Sequence, residues 1–304
     1  RLSKILQVPG VIRTFKRKME KGYYHISSRG LERNDIFKSK EDFIAGMNDV
    51  AITLLGFDLR ILCFCLMSNH FHFVLYGTLG DCRRFSEEYK RKCAIRMWRH
   101  NGDVKGMKDV DIRINRITSN EYMENVIAYV LRNPLAAGIT IMPLHYSWSS
   151  AAVYFCGDKI PAGKVLNDMS ARKRWRLLES RQNLPDHYVV NDEGMILPLC
   201  YVDREMVEKI FRHPSRLMMA LARKIETDVE ILFGAAESVS MTDQEILTEL
   251  PSLLQKEFGK ESLAQLSMEQ RVMLCLMLNR NFKAGIKQIA RLTHLSPELI
   301  SAIV

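Results

Sequence analysis

The spacing of apolar and polar positions changes along the chain, and each change marks an element. Residues 22–29 (GYYHISSR) are β-prone and run into Gly30, which reads as a strand entering a turn. Ser39 with Asp42 three residues on is a capping signal, and Phe43, Met47, Val50, Ala51 and Leu54 then recur at helical spacing until Gly56. Residues 57–67 and 71–77 are two strand-like runs separated by Ser68, Asn69 and His70, as in a hairpin. Asp81 stands where it would cap a basic helix over 82–100, whose apolar side is Phe85, Tyr89, Cys93 and Met97. In 111–117, Ile112 and Ile114 alternate while Ile117 falls out of step, an imperfect fourth strand. Thr118 and Glu121 form a capping box for a helix through Tyr122, Val126, Tyr129 and Val130. Pro134 is expected to end it, because the residue before a proline is pushed out of the helical region. The order is β-α-β-β-α-β-α.

Gly157, Pro161 and Gly163 mark a boundary after this unit. Helices are expected over 168–181, 204–210 and 215–226, between loops rich in Asn, Pro and Gly that show no recognisable chemistry. Thr242 with Glu245 and Ser267 with Gln270 are further capping boxes. A short helix over 286–294 is followed by Ser296 as cap and Pro297 as first residue of another. After an amphipathic helix over 267–280, these two have the proportions of a helix-turn-helix. The chain therefore divides into 1–155, a linker and helical region over 156–240, and a helix-turn-helix-like unit over 241–304. The fold class is α+β, an antiparallel sheet with helices, followed by a mainly α-helical C-terminal region.

A composition of 47% hydrophobic and 26% charged residues over 304 positions excludes disordered, collagen-like and disulfide-dense classes. No apolar run approaches the roughly 18 residues of a membrane-spanning helix. The seven Cys are odd in number and scattered, which suits reduced thiols used as small hydrophobes and points to the cytoplasm. Residues 1–150 carry 24 Lys and Arg against 15 Asp and Glu, whereas 151–304 carry 20 of each, so the first half holds the whole excess of +9. A basic surplus confined to one half suits a polyanion, with nucleic acid the natural candidate. Charge alone is equally compatible with an ordinary basic surface.

His70 and His72, two apart on a strand, would project from one face and could hold one divalent ion. Such pairs also occur at satisfied surface sites, and the spacing leaves both readings open. Tyr129 and Asn133 are four apart and share one helical face. If that face covers the histidines, the amide oxygen could complete a metal site and the phenol could attack a phosphate. The alternative is a half-buried aromatic beside a C-terminal cap. Tyr122, seven residues earlier on roughly the same face, is the rival nucleophile.

Four blocks together resemble the REP-associated tyrosine transposases, relatives of the single-tyrosine insertion-sequence transposases: YHISSRG at 24–30, MSNHFH at 67–72, YVLRNPLAAG at 129–138 and YSWSS at 146–150. They stand in family order over roughly residues 20–155. The resemblance implies a ferredoxin-like HUH fold that nicks and rejoins single-stranded, hairpin-forming DNA. It implies His70 and His72 as ligands of Mg²⁺ or Mn²⁺, and Tyr129 as the nucleophile that forms a 5′-phosphotyrosine and frees a 3′-OH. The insertion-sequence relatives place Gln four residues after the tyrosine as third ligand. Here that position is Asn133, a shorter reach. The last segment resembles the helix-turn-helix of replication-initiator-like proteins, with Gln288, Ala290, His294 and Ser296 at its polar and small positions.

Arg29, Arg83, Arg84 and Arg91 are candidate DNA contacts, although a charged helix such as 82–100 is also a common solvated face. Tyr146 and Trp148 read as core rather than stacking residues. Single-stranded hairpin DNA is the expected partner, membrane is not, and both monomer and homodimer are open. A regulator of the same fold that has lost cleavage is the alternative function. An RNA-binding module ranks last, because Phe71 and Phe73 alternate with the histidines and so face the core.

Overall fold

The computed structural model describes residues 20–29, 35–101, 107, 110–157, 163–180, 182–223, 241, 243–282 and 284–303. Its first elements are β1 (Lys21–Arg29), α1 (Lys40–Leu54), β2 (Arg60–Leu66), β3 (Phe71–Thr78), α2 (Leu79–Asn101), β4 (Asp111–Ile117) and α3 (Asn120–Ala136). The strands form one antiparallel sheet in the order β2-β3-β1-β4, and the class is mixed α+β. Register sets Ser27 opposite His72 on one side and opposite Arg113 on the other. Strand alternation then sorts the side chains into two faces. Ile26, Phe71 and Phe73 point one way, where Phe71 and Phe73 meet Tyr89 edge to face at 5.0 and 5.2 Å and Phe73 meets Phe85 at 5.3 Å. All five are completely or almost completely buried, so α1 and α2 close this face over an apolar core. His25, Ser27 and His72 point the other way, beneath α3.

Local hydrogen bonding moves several element ends from their expected places. Ser39 and Asp42 make the expected capping box at α1. At α2 the cap is Thr78, not Asp81: the Thr78 hydroxyl accepts from the Asp81 amide at 3.1 Å and donates to its carboxylate at 2.8 Å, so the helix starts earlier. At α3 the cap is Ser119, not Thr118, with Ser119 Oγ accepting from the Tyr122 amide at 3.2 Å. Pro134 does not end α3, which runs on to Ala136. Residues 126–134 are all buried, and that packing outweighs the lost N–H and the ring clash, about 3 kcal/mol in an exposed helix.

The edge of β2 is covered rather than left open. Trp148 O accepts from the Leu66 amide, Ser150 N donates to Phe64 O, and the Tyr146 and Tyr154 hydroxyls donate to the carbonyls of Leu66 and Leu62 at 2.9 and 2.6 Å. Trp148 stacks on Phe43 at 4.9 Å, in keeping with a packing role. Residues 163–223 add the two-residue strands β5 (Lys164–Val165) and β6 (Val189–Val190) and the helices α4 (Ala171–Leu178), α5 (Arg204–Phe211) and α6 (Pro214–Ala222). The expected helix over 168–181 is thus confined to 171–178, because Ser170 caps it and Glu179 adopts a left-handed φ of 47°. This segment packs onto the sheet unit. Asn48 bridges to Gly194 O and the Ile196 amide at 3.0 and 2.7 Å, and the Arg132 guanidinium donates to Leu221 O.

The C-terminal helices are α7 (Asp243–Phe258), α8 (Met268–Phe282), α9 (Ile286–Thr293) and α10 (Pro297–Ile303). Ser267 and Gln270 make the expected reciprocal cap, and Ser296 Oγ accepts from the Leu299 amide. The Thr242 half of the expected α7 capping box lies outside the described residues, as do 224–226 of the expected helix over 215–226. Gln288 is buried and donates to Met241 O at 2.9 Å, and α10 carries no Lys or Arg. Among the described residues no helix is long and apolar enough to cross a membrane.

Candidate active site

Two elements build the site from opposite sides, the β2–β3 turn from the sheet and the C-terminal half of α3 from above. The Met67 amide donates to His70 O at 2.8 Å, closing the turn around Ser68 and Asn69. His70 therefore lies in the turn, one residue before β3, and not on the strand with His72. Their rings still converge, centroids 5.0 Å apart and nearly perpendicular. Because α3 continues past Asn133, Tyr129 and Asn133 keep their one-turn spacing and both reach the histidines. The Tyr129 ring meets His72 at 5.7 Å and His25 at 6.0 Å, both edge to face, and Asn133 Oδ1 lies 3.4 Å from His70 Nε2.

The hydrogen bonds around these groups define which atoms face one another. Asn133 Nδ2 donates to Tyr129 O at 3.1 Å, which turns its oxygen toward His70. His70 Nδ1 lies 2.6 Å from Asn69 Oδ1, an acceptor, so Nδ1 donates there and Nε2 is the ring nitrogen that faces Asn133. In the neutral ring Nε2 is an acceptor, and it and Asn133 Oδ1, 3.4 Å apart, would then both face a bound cation. The donor chemistry, two imidazoles and an amide oxygen, fits a divalent ion, which His70, His72 and Asn133 would hold. Among the described residues no group of three His, Cys, Asp or Glu side chains is placed to hold a metal ion.

His25 is the residue the sequence reading missed. It is fully buried, its ring stacks on that of His72 at 5.3 Å, and its Nε2 lies 3.1 Å from His72 Nδ1. The sequence reading held it within the block at 24–30 but gave it no role; its parity with Ser27 on β1 becomes informative once the β1–β3 register is known.

The other candidates fall into two groups. Arg29 ends β1 on the same face as His25 and Ser27, two residues beyond the position opposite His72. Arg83, Arg84 and Arg91 lie on α2, which packs on the opposite face of the sheet from Tyr129. There Arg84 pairs with Asp81 and Arg91 makes a two-point contact with Glu88 at 2.7 and 2.8 Å, which lowers the Glu88 pKa. Tyr122 is half-buried at the start of α3 beside Asn115, Arg116 and Asn125.

No family model and no curated protein matches the sequence. Among solved structures, a REP-associated tyrosine transposase bound to a REP hairpin is similar over 52% of this chain and 94% of that chain, at 15% identity and a TM-score of 0.37. A superposition that loose carries no residue role from one protein to the other.

Proposed function

We propose that the chain is a DNA transposase that nicks and rejoins single-stranded, hairpin-forming DNA, with Tyr129 as nucleophile. The observation that carries this reading is the convergence of Tyr129 and Asn133 from α3 on His70 from the β2–β3 turn and His72 from β3. The strand order β2-β3-β1-β4 with helices after β1, β3 and β4 supports the ferredoxin-like reading of the motifs at 24–30, 67–72, 129–138 and 146–150. Residues 1–155 would be the nuclease unit and the last three helices a helix-turn-helix.

In this reading the Tyr129 oxygen attacks a DNA phosphorus, the bond to the 3′ oxygen breaks, and that oxygen leaves with a proton as a free 3′-OH. The phosphodiester energy is retained in the tyrosine ester, so the reverse attack by a 3′-OH rejoins DNA without a nucleotide cofactor. His70, His72 and Asn133 would hold Mg²⁺ or Mn²⁺, which when bound polarises the phosphate. Asn69 and His25 fix the orientation of the two imidazoles. Tyr129 is only 5% exposed, between His25 and His72, so its ring is held in place before a strand arrives. The test is incubation with labelled DNA hairpins and Mn²⁺ followed by a denaturing gel. A covalent protein–DNA adduct is expected from the natural chain and absent from Tyr129→Phe; hairpin binding without an adduct supports a non-cleaving regulator instead.

A further inference from the structure

On the side of the sheet away from Tyr129, two tryptophans stand in solvent. Trp98 of α2 is 59% exposed and Trp175 of α4 is 56% exposed, whereas the third, Trp148, is packed on Phe43. Large indoles are seldom left so bare in a soluble chain, and both lie beside one ion pair. Arg99, next to Trp98, bonds Glu179 at 2.5 Å, and the Glu179 amide donates to Trp175 O. The pair ties the C-terminal ends of α2 and α4 together, over a cleft lined by Arg91, Arg96 and Leu178.

The charge beside the indoles is of one sign. The segment Arg172, Lys173, Arg174, Trp175, Arg176 has four cations and no acid. Arg172, Lys173 and Arg176 are exposed and pair with no acidic side chain among the described residues, and only Arg174 reaches an acid, Asp186, at 3.9 Å. A helix whose cations merely keep it soluble has no need of an indole among them. The combination of bare indoles and unpaired guanidinium groups is what a flexible polyanion with flat bases requires, each base stacking on an aromatic face and each phosphate meeting a cation.

We infer that α4 and the end of α2 form a second single-strand DNA site, which holds the strand flanking the hairpin by stacking on Trp98 and Trp175 and by phosphate contacts from Arg172, Lys173 and Arg176. This rests on the reading that the chain handles single-stranded DNA, and it adds a surface that lies outside the four motif blocks. The site is non-specific, since every base has a face to stack and no base edge need be read.

The experiment is a titration of the full chain with fluorescein-labelled (dT)20 between 50 and 200 mM NaCl. Trp175→Ala is expected to weaken binding at least fivefold. The triple variant Arg172→Ala, Lys173→Ala, Arg176→Ala is expected to lower the slope of log affinity against log salt by about 2, at roughly 0.7 per lost phosphate contact. Both surface variants should keep the circular dichroism of the natural chain. Unchanged affinity and slope in the two variants would overturn the inference, as would binding of anionic vesicles or an acidic protein with no response to (dT)20. Adduct formation on a hairpin lacking flanks should persist in the surface variants, so this inference and the Tyr129 chemistry fail separately.

Discussion

His25 Nε2 sits 3.1 Å from His72 Nδ1, both rings buried and nearly parallel. One nitrogen must donate and the other accept. For His72 to offer a lone pair at Nε2, its Nδ1–H must donate to His25, so β1 determines the tautomer of a residue on β3. His25→Ala should weaken Mn²⁺ binding about 10- to 100-fold, while His25→Gln, whose amide oxygen can accept the same bond, should recover part of it. Mn²⁺ paramagnetic resonance reads the affinity, and ¹⁵N shifts of His72 read the tautomer in the metal-free chain. Equal affinity in all three proteins would remove His25 from the site.

Asn133 offers a test that does not depend on His25. Asn133→Ala removes the amide oxygen opposite His70 and should lower Mn²⁺ affinity. Asn133→Leu, of similar volume, separates this effect from packing, since it should lose the metal while melting near the natural temperature. Calorimetric titration with Mn²⁺ checks both.

Cap positions distinguish what spacing can and cannot show. Ser119→Ala should cost about 1 kcal/mol and Thr118→Ala less than about 0.5 kcal/mol in urea unfolding, because the Ser119 hydroxyl holds the Tyr122 amide. The sequence placed the cap one residue early, since Thr118 and Ser119 are both good caps and only tertiary packing chooses between them. Pro134 misled for a related reason: local rules end the helix there, and burial of 126–134 overrides them. The sheet was legible because hydrophobic periodicity survives in 57–77, and Phe71 and Phe73 fall in the core as their alternation with His72 requires. His25 was not legible, because its partner is 47 residues away and register is a tertiary property.

Burial pushes the Cys82 and Cys93 thiols up to about 12, with Asp81 and Asp49 adding to the effect. A free thiol titrates near about 8.5. The native chain thus keeps a proton that the unfolded chain loses, so this contribution to stability is complete below about 8.5 and falls away as pH climbs toward about 12. At pH 8 iodoacetamide should modify exposed Cys156 while Cys82 and Cys93 react only after denaturation, as read by peptide mass mapping.

Phe73 anchors α2 through its contacts with Phe85 and Tyr89. Phe73→Ala should cost about 3–5 kcal/mol in chemical unfolding. Phe73→Leu, which keeps most of the volume, should cost less and leave Mn²⁺ binding intact, since His72 faces the other side of the sheet.

The measurement that bears most directly on the central claim is to map the attachment point. The natural chain would be trapped on a labelled hairpin with Mn²⁺, digested with nuclease and protease, and sequenced by tandem mass spectrometry. The account predicts a phosphodeoxynucleotide on Tyr129 and on no other residue, lost when His70 or His72 is replaced by alanine. An adduct carried by Tyr122, or one that persists in Tyr129→Phe, would contradict it.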